Sequence, residues 1–167
     1  MAATLDDLMA MLARLGIATV TVNHPPLFTV AQSRTLRGTI PGAHTKNLFL
    51  KDRKGGLYLV TAPEDAGIDL KHIHARIGAS GRLSFARPGL LVETLGVQPG
   101  AVTPFAAMND SHGRVSVVLD AALLAHERIN CHPLVNTATT TIAAGDLLTF
   151  LRATGHEPAI LALSDDL

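Results

Sequence analysis

The residues best suited to catalysis or metal binding are eight histidines and one cysteine in a chain of 167 residues. His72 and His74 are two positions apart in a predicted helix, so they point to different faces and cannot share a metal ion. Cys131 and His132 are neighbours in a predicted strand, where adjacent side chains point to opposite faces, so they cannot form a catalytic thiol–imidazole dyad. We therefore expect neither a metal centre nor a nucleophilic cysteine.

Three other features could act on a polar substrate. His132 precedes a proline, which favours an extended backbone and ends the strand, so the histidine could lie in a cleft. Lys46 opens an apolar strand, where its ammonium group could reach a phosphate or a carbonyl. The loop Gly100–Pro104 could bring its backbone amides close to an oxyanion. Each feature also fits a plain structural role: a core histidine, an edge lysine and a surface turn.

The elements that must position these residues are predicted from hydrophobic periodicity, caps and turn residues. The predicted helices are 5–15, 29–37, 69–77, 88–95 and 146–153. The predicted strands are 17–22, 45–50, 57–61, 115–119, 128–131, 137–142 and 158–163. A polar turn at 51–56 joins two of these strands as a hairpin. Short connections make antiparallel pairing common, which predicts an α+β domain with a mixed, mostly antiparallel sheet over residues 1–167.

Composition excludes several classes of protein. With 47% apolar and 17% charged residues, the chain is expected to fold into a globular domain. It contains no apolar run of the roughly 18 residues that a membrane-spanning helix needs. Its start lacks the positive region of a signal peptide, and one cysteine cannot form an internal disulfide, so a cytoplasmic location is expected. Aromatic residues make up 4%, too few for a stacking platform for single-stranded nucleic acid.

The formal net charge is zero, but the charges are unevenly distributed. The segment from Arg34 to Arg87 contains ten basic and four acidic residues, so it carries +6 while the rest of the chain carries −6. Such asymmetry could attract a polyanion to one side of the molecule. It is equally compatible with an ordinary solvated surface.

Taken together, five motifs of the sequence resemble one family. They are Thr45–Leu50, Glu93–Gly96, Gly100–Phe105, Cys131–Pro133 and Asn136–Thr137. The family is that of the YbaK/prolyl-tRNA synthetase-associated editing domains, or ProX proteins, and the resemblance extends from about Ile17 to Ala162. Residues 131–140 are similar to the free-standing alanyl-tRNA(Pro) deacylase branch, whereas the cysteinyl-tRNA(Pro) branch typically lacks the Cys-His-Pro element.

The resemblance implies a barrel-like sheet with surrounding helices and a trans-editing deacylase that hydrolyses mischarged Ala-tRNA(Pro). It implies substrate positioning, an oxyanion held by backbone amides and attack involving the 2′-hydroxyl of the tRNA, without a metal or other cofactor. The implied partners are the acceptor end of tRNA(Pro) and prolyl-tRNA synthetase. The implied catalytic residues are Lys46, Gly100 and His132. The implied substrate-binding residues are Asn47, Ala101, Val102, Thr103, Pro104 and Asn136.

Three alternatives remain open from the sequence. The same reaction could act on tRNA charged with cysteine or serine, although the Cys-His-Pro element argues against this. The chain could instead be a non-catalytic nucleic-acid-binding module or a hydrolase of small esters.

Overall fold

The structure, a computed structural model, describes residues 1–26, 35 and 38–164. The described strands are β1 (Thr19–Asn23), β2 (Ala43–Lys51), β3 (Leu57–Pro63), β4 (Ser84–Phe85), β5 (Val115–Asp120), β6 (Arg128–Cys131), β7 (Ala138–Ala143) and β8 (Ala159–Leu161). The described α-helices are α1 (Leu5–Arg14), α2 (Ile73–Ile77), α3 (Pro88–Leu95) and α4 (Ala144–Ala153). Short 3₁₀ helices span Pro99–Ala101, Pro104–Asn109 and Ala121–Ala125.

The strands form one mixed sheet in the order β1-β7-β6-β2-β3-β5-β8, with β4 paired to β2. The pairs β1–β7, β6–β7, β2–β3 and β2–β4 are antiparallel. The pairs β2–β6, β3–β5 and β5–β8 are parallel. The predicted fold class, an α+β domain with a mixed and mostly antiparallel sheet, is therefore confirmed. The parallel pairs arise where long connections return the chain to the sheet in the same direction.

The hairpin of β2 and β3 is fixed by the buried carboxylate of Asp52. This carboxylate accepts hydrogen bonds from three backbone amides and one phenol: Lys54, Gly56, Ser80 and Tyr58. The hydrogen bond from Ser80, followed by the others, keeps the pKa of Asp52 below its ordinary value in spite of desolvation. The polar turn predicted at 51–56 is confirmed, and Asp52 also connects it to the loop around residue 80.

Side-chain alternation along the strands separates two apolar cores. The larger core contains Phe49 and Leu59, which face the helices α1, α3 and α4. It also contains Phe105 and Phe150, whose rings meet edge to face with centroids 5.3 Å apart. The smaller core, on the opposite face, consists of Leu50, Val60, Ile73, Leu83, Val118 and Leu163. Because successive residues of a strand point to opposite faces, each β2 residue is committed to one of these two sides.

The predicted elements agree with the structure except in a few segments. The first predicted helix begins at the Thr4 cap and ends before Gly16, as its capping residues indicate. The helix predicted at 69–77 begins instead at Ile73, because the Asp69 side chain accepts hydrogen bonds from the Lys71 amide and the His72 ring. The helix predicted at 29–37 falls almost wholly outside the described residues.

Gly42, immediately before β2, is a position where both the backbone conformation and its neighbours disfavour a side chain. Its φ is +106°, and a Cβ atom there would lie 3.1 Å from the Arg128 carbonyl oxygen and from the Asn130 amide nitrogen. We expect Gly42→Ala to lower the free energy of unfolding by about 1–3 kcal/mol, because it adds backbone strain and crowding. Gly89→Ala is the matched control, since a Cβ there would meet nothing within 4 Å. Urea unfolding of both variants measures the difference, and equal stability would contradict the prediction.

Candidate active site

The candidate active site lies where β2 and β6 adjoin. The backbone register between these parallel strands is short, with Ala43 opposite Ile129 and His44 opposite Asn130. Side chains continue the contact, because the Thr45 hydroxyl donates to the Asn130 carbonyl oxygen at 2.8 Å. The buried Asn130 side chain donates to the Pro41 carbonyl oxygen at 3.0 Å, on the chain leading into β2. These hydrogen bonds hold β2 and β6 together just before Lys46 in one chain segment and His132 in the other.

Lys46 and His132 lie on the same face of the two strands. His44 is opposite Asn130, and each candidate lies two residues further along its own chain, so alternation points both side chains the same way. β6 ends at Cys131, but the Thr45 hydroxyl still contacts the Cys131 sulfur at 3.8 Å, so the chains remain adjacent there. No local pattern in the sequence indicated that these two residues lie on one face.

Lys46 is half-buried and shares its face of β2 with Leu48 and Leu50. Its ammonium group donates a hydrogen bond to the Ala66 carbonyl oxygen in the loop after β3. An ammonium group has three donors, so this contact orients the side chain and leaves further donors for a ligand.

His132 is the first residue after β6, and its ring is half-buried. The Nδ1 atom lies 3.2 Å from the Ala138 carbonyl oxygen, which accepts a hydrogen bond and therefore assigns the proton to Nδ1. Burial lowers the pKa of His132, the Ala138 hydrogen bond opposes this effect, and the charge of His24 lowers the pKa further. His132 is thus neutral at pH 7, and its Nε2 atom carries a lone pair.

Asn47 lies on the opposite face of β2 from Lys46. Its carbonyl oxygen accepts a hydrogen bond from the Thr61 hydroxyl at 2.6 Å. Its amide nitrogen lies 3.5 Å from the Thr45 hydroxyl oxygen. These contacts connect β2 to β3 on the side of the larger core. The structure therefore separates the two members of the lysine–asparagine pair that the sequence presents as neighbours.

A pocket of about 370 Å³ brings together three of the other candidates, because Ala101 and Asn136 line it and Gly100 adjoins it. It is lined by Gly96, Val97, Gln98, Ala101, Leu134, Val135, Asn136 and Thr137. Gly100 adjoins it, since a Cβ atom at this position would lie 3.3 Å from the Asn136 amide nitrogen. The loop 132–137 forms one wall, and its Leu134 has a φ of +70°, a conformation that side chains rarely adopt. His132 begins this loop, so the pocket adjoins the end of β6.

The rest of the Gly100–Pro104 loop is more deeply buried. Thr103 is fully buried, and its hydroxyl oxygen accepts a hydrogen bond from the Phe105 amide, capping the following 3₁₀ helix. Pro104 is also buried and has no amide proton. The Ala101 amide already donates to the Gln98 carbonyl oxygen at 2.9 Å. An oxyanion role for this loop would therefore rest on the amides of Gly100, Val102 and Thr103.

His24, which lies just beyond β1, is not among the site residues predicted from the sequence. Its amide donates to the Thr137 carbonyl oxygen at 2.8 Å, and its Nε2 atom lies 2.8 Å from the Thr139 hydroxyl oxygen. Thr139 belongs to β7, next to the residue that binds His132. The pattern His24-Pro25-Pro26 indicates only the end of a strand, so it is a weak signal for a histidine at the site.

Two classes of feature are absent from the described part of the chain. Among residues 1–26, 35 and 38–164, no group of three or more histidine, cysteine, aspartate or glutamate side chains could hold a metal ion. No helix within the same residues has the length and apolar character needed to cross a membrane.

Comparison with known proteins identifies the family. Residues 24–150 match the family described as the aminoacyl-tRNA editing domain, and the chain belongs to this family. Prolyl-tRNA synthetase associated domain-containing protein 1 of Bos taurus is 44% identical over 154 residues, covering 90% of each protein. The prolyl-tRNA editing protein ProX of Acetoanaerobium sticklandii is 36% identical over 149 residues, covering 89% of this chain and 90% of ProX. The resemblance to YbaK/ProX editing domains is therefore confirmed.

A solved structure extends the comparison to the fold. A protein provisionally described as a trans-editing enzyme for prolyl tRNA synthetase superposes with a TM-score of 0.70, covering 99% of both chains at 20% identity. At this identity the likeness shows the shared fold.

The neutral state of His132 predicts a specific dependence of stability on pH. The unfolded chain binds a proton at this residue near pH 6.5, whereas the folded chain resists it to lower pH. Protonation therefore favours unfolding as the pH falls below about 6.5, until the folded pKa is passed. We expect His132→Asn to reduce the loss of unfolding free energy between pH 7.5 and 5.5. The exposed His112→Asn is the control, and an unchanged pH slope in His132→Asn would refute the prediction.

Proposed function

We propose that this protein is a trans-editing deacylase that hydrolyses the ester of alanine mischarged onto tRNA(Pro), in the cytoplasm. One observation carries the proposal: Lys46 and the neutral His132 leave the same face of two adjoining strands, and His132 begins the loop that forms one wall of a small pocket. Membership of the aminoacyl-tRNA editing domain family supports it, as does the similarity to ProX. The acceptor end of tRNA(Pro) is the proposed ligand, and prolyl-tRNA synthetase is the proposed partner.

The chemistry requires little more than positioning. An aminoacyl ester is already activated, so a water molecule or the 2′-hydroxyl of the terminal ribose can attack without a protein nucleophile. Lys46 would bind the terminal phosphate or the ester carbonyl through its free donors. The lone pair on His132 Nε2 would accept a hydrogen bond from a substrate hydroxyl and orient it. A preorganised amide from the Gly100–Pro104 loop would stabilise the oxyanion, and one such donor is worth roughly 10²–10³ in rate.

Alanine is the proposed amino acid because it is smaller than proline and cannot be excluded from a proline pocket by size. A few missing methylene groups cost a competing substrate only about 1–3 kcal/mol each, so accuracy requires a second, hydrolytic site. Such a site must admit alanine and refuse proline. The apolar wall formed by Val97, Ala101 and Leu134 fits this requirement. The similarity of residues 131–140 to the alanyl-tRNA(Pro) branch supports the same choice.

A turnover assay with tRNA(Pro) charged with alanine, cysteine, serine or proline tests the proposal against its alternatives. We expect rapid hydrolysis of the alanyl ester and little hydrolysis of the prolyl ester. Faster hydrolysis of the cysteinyl or seryl ester would assign the protein to another branch. Binding without hydrolysis would favour a nucleic-acid-binding module, and hydrolysis of small esters alone would favour a general esterase.

Lys46→Ala should remove most of the deacylation rate while the protein remains folded. The reason is that the ammonium group is a cation on the same face of the two strands as His132 and has donors left for a ligand. Lys54→Ala, an exposed lysine in the turn after β2, is the matched control and should behave like the parent. Single-turnover hydrolysis and a melting curve are measured for each variant. A Lys46→Ala protein that hydrolyses alanyl-tRNA at the parent rate would remove Lys46 from the site.

Gly100→Val should lower the rate on alanyl-tRNA by orders of magnitude. The first added carbon would already contact the Asn136 amide at 3.3 Å, and the branched side chain would extend further toward the pocket. Affinity for tRNA should change little, because phosphate contacts dominate it. Gly89→Val is the control in open space, and Thr103→Val should be milder than Gly100→Val because it preserves the backbone amides. Normal hydrolysis by a folded Gly100→Val protein would leave the loop without a catalytic role.

A further inference from the structure

Leu134 has a backbone conformation that leucine rarely adopts. Its φ is +70°, and in the part of the chain that the structure describes no other residue except glycine has a positive φ. In this left-handed conformation the Cβ atom of an L-residue lies too close to the following carbonyl oxygen, whereas glycine has no such contact. A leucine at this position therefore requires a compensating contribution from its side chain.

The loop 132–138 imposes this conformation on Leu134. The His132 Nδ1 atom lies 3.2 Å from the Ala138 carbonyl oxygen, so a hydrogen bond joins the two ends of the loop. Pro133 has a fixed φ and keeps His132 extended, which leaves little rotation in the chain before Leu134. The chain then bends at Leu134 itself. The closed loop thus determines where the Leu134 side chain lies.

The Leu134 side chain lies between the larger core and the pocket of about 370 Å³. It is 8% exposed, and among the residues that line the pocket it has the largest apolar side chain. Val97 and Ala101 line the same pocket and belong to the same core. Because protein interiors are close-packed, a leucine with the core behind it cannot move aside for a larger ligand. Leu134 is therefore a rigid part of the pocket wall.

We propose that Leu134 sets the size limit of this pocket and thereby excludes proline from hydrolysis. The inference rests on the proposed function, under which the pocket must admit the methyl group of alanine and refuse the pyrrolidine ring of proline. Leu134 would contact the side chain of the bound amino acid and take no part in bond making. It is thus a specificity-determining residue, and its left-handed backbone is the means by which the loop presents a large side chain to the pocket.

The melting temperatures of two variants test the conformation of Leu134 without any enzymatic assay. Leu134→Ala and Leu134→Gly both remove the packing of the leucine side chain. At an ordinary position the alanine variant is the more stable of the two, because glycine loses more conformational entropy on folding. At a left-handed position the order reverses, so we expect the higher Tm for Leu134→Gly. An equal or higher Tm for Leu134→Ala overturns the left-handed conformation on which the inference depends.

Single-turnover hydrolysis of prolyl- and alanyl-tRNA(Pro) tests the size limit. In Leu134→Ala the ratio of the prolyl rate to the alanyl rate should rise by roughly 10- to 200-fold, the range that one methylene group commands in an apolar pocket. Leu134→Met preserves the volume of the side chain and should retain the parent ratio. Leu147→Ala, at a buried leucine of the same core on α4 that does not line the pocket, is the control for lost packing and should also retain it.

An unchanged ratio in a folded Leu134→Ala protein overturns the size limit, and so does an equal rise in Leu147→Ala. If Leu134→Ala does not fold, Leu134→Gly takes its place in this assay. The proposed function itself stands as long as the parent hydrolyses alanyl-tRNA(Pro).

If the parent hydrolyses none of the four charged tRNAs, the proposed function fails, and a binding measurement then decides the size limit. The probes are two adenosines that carry alanine or proline through an amide at the 3′ position, and NMR titration measures their affinity for the protein. The parent should bind the alanyl amide more tightly than the prolyl amide, and Leu134→Ala should lose this preference. A parent that binds neither amide, or both alike, overturns the inference.

Discussion

The arrangement of the site depends on the short junction between β2 and β6. Two paired positions provide little backbone hydrogen bonding, and the junction is completed by the hydrogen bonds from the Thr45 hydroxyl and the Asn130 side chain. Asn130 is buried and also accepts a hydrogen bond from Thr141 on β7, so one amide connects β6 to both of its neighbours. A buried amide that lost these partners would pay its full desolvation cost, and this makes the junction specific in register. A shift of one residue would turn either Lys46 or His132 to the opposite face.

The environment of His132 lowers the pKa of its imidazole without a salt-bridge partner. Burial and the charge of His24 disfavour the imidazolium form, and the Ala138 carbonyl fixes the proton on Nδ1. The remaining nitrogen is then an acceptor in a defined direction. This is a modest chemical capability, and it matches a reaction on an ester that is already activated. Under the proposed function, hydrolysis would need neither a catalytic triad nor a strong nucleophile of the protein.

Not every motif residue serves the same purpose. Asn47 and Thr103 belong to shared motifs, yet their side chains bind Thr61 and the Phe105 amide inside the fold. Gly100, Ala101 and Asn136 meet at the pocket instead. Within one motif, some residues therefore stabilise the fold around the site, whereas others lie at the pocket where a ligand would bind.

The sequence by itself determined most of the local structure. The hairpin at 51–56, the capped first helix, the helix near residue 150 and the α+β class follow from hydrophobic periodicity, helix caps and turn residues, which act over a few positions. The motifs also indicated the family, because they preserve chemistry at a fixed spacing. Only the tertiary structure decided that Lys46 faces away from Asn47 and toward the side of His132, since that depends on the register between strands 86 residues apart. The position of His24 beside β7 could not be predicted for the same reason, because its hydrogen-bond partner Thr139 is 115 residues away in the sequence. Long-range pairing of strands is set by the packing of the whole core, which no local pattern records.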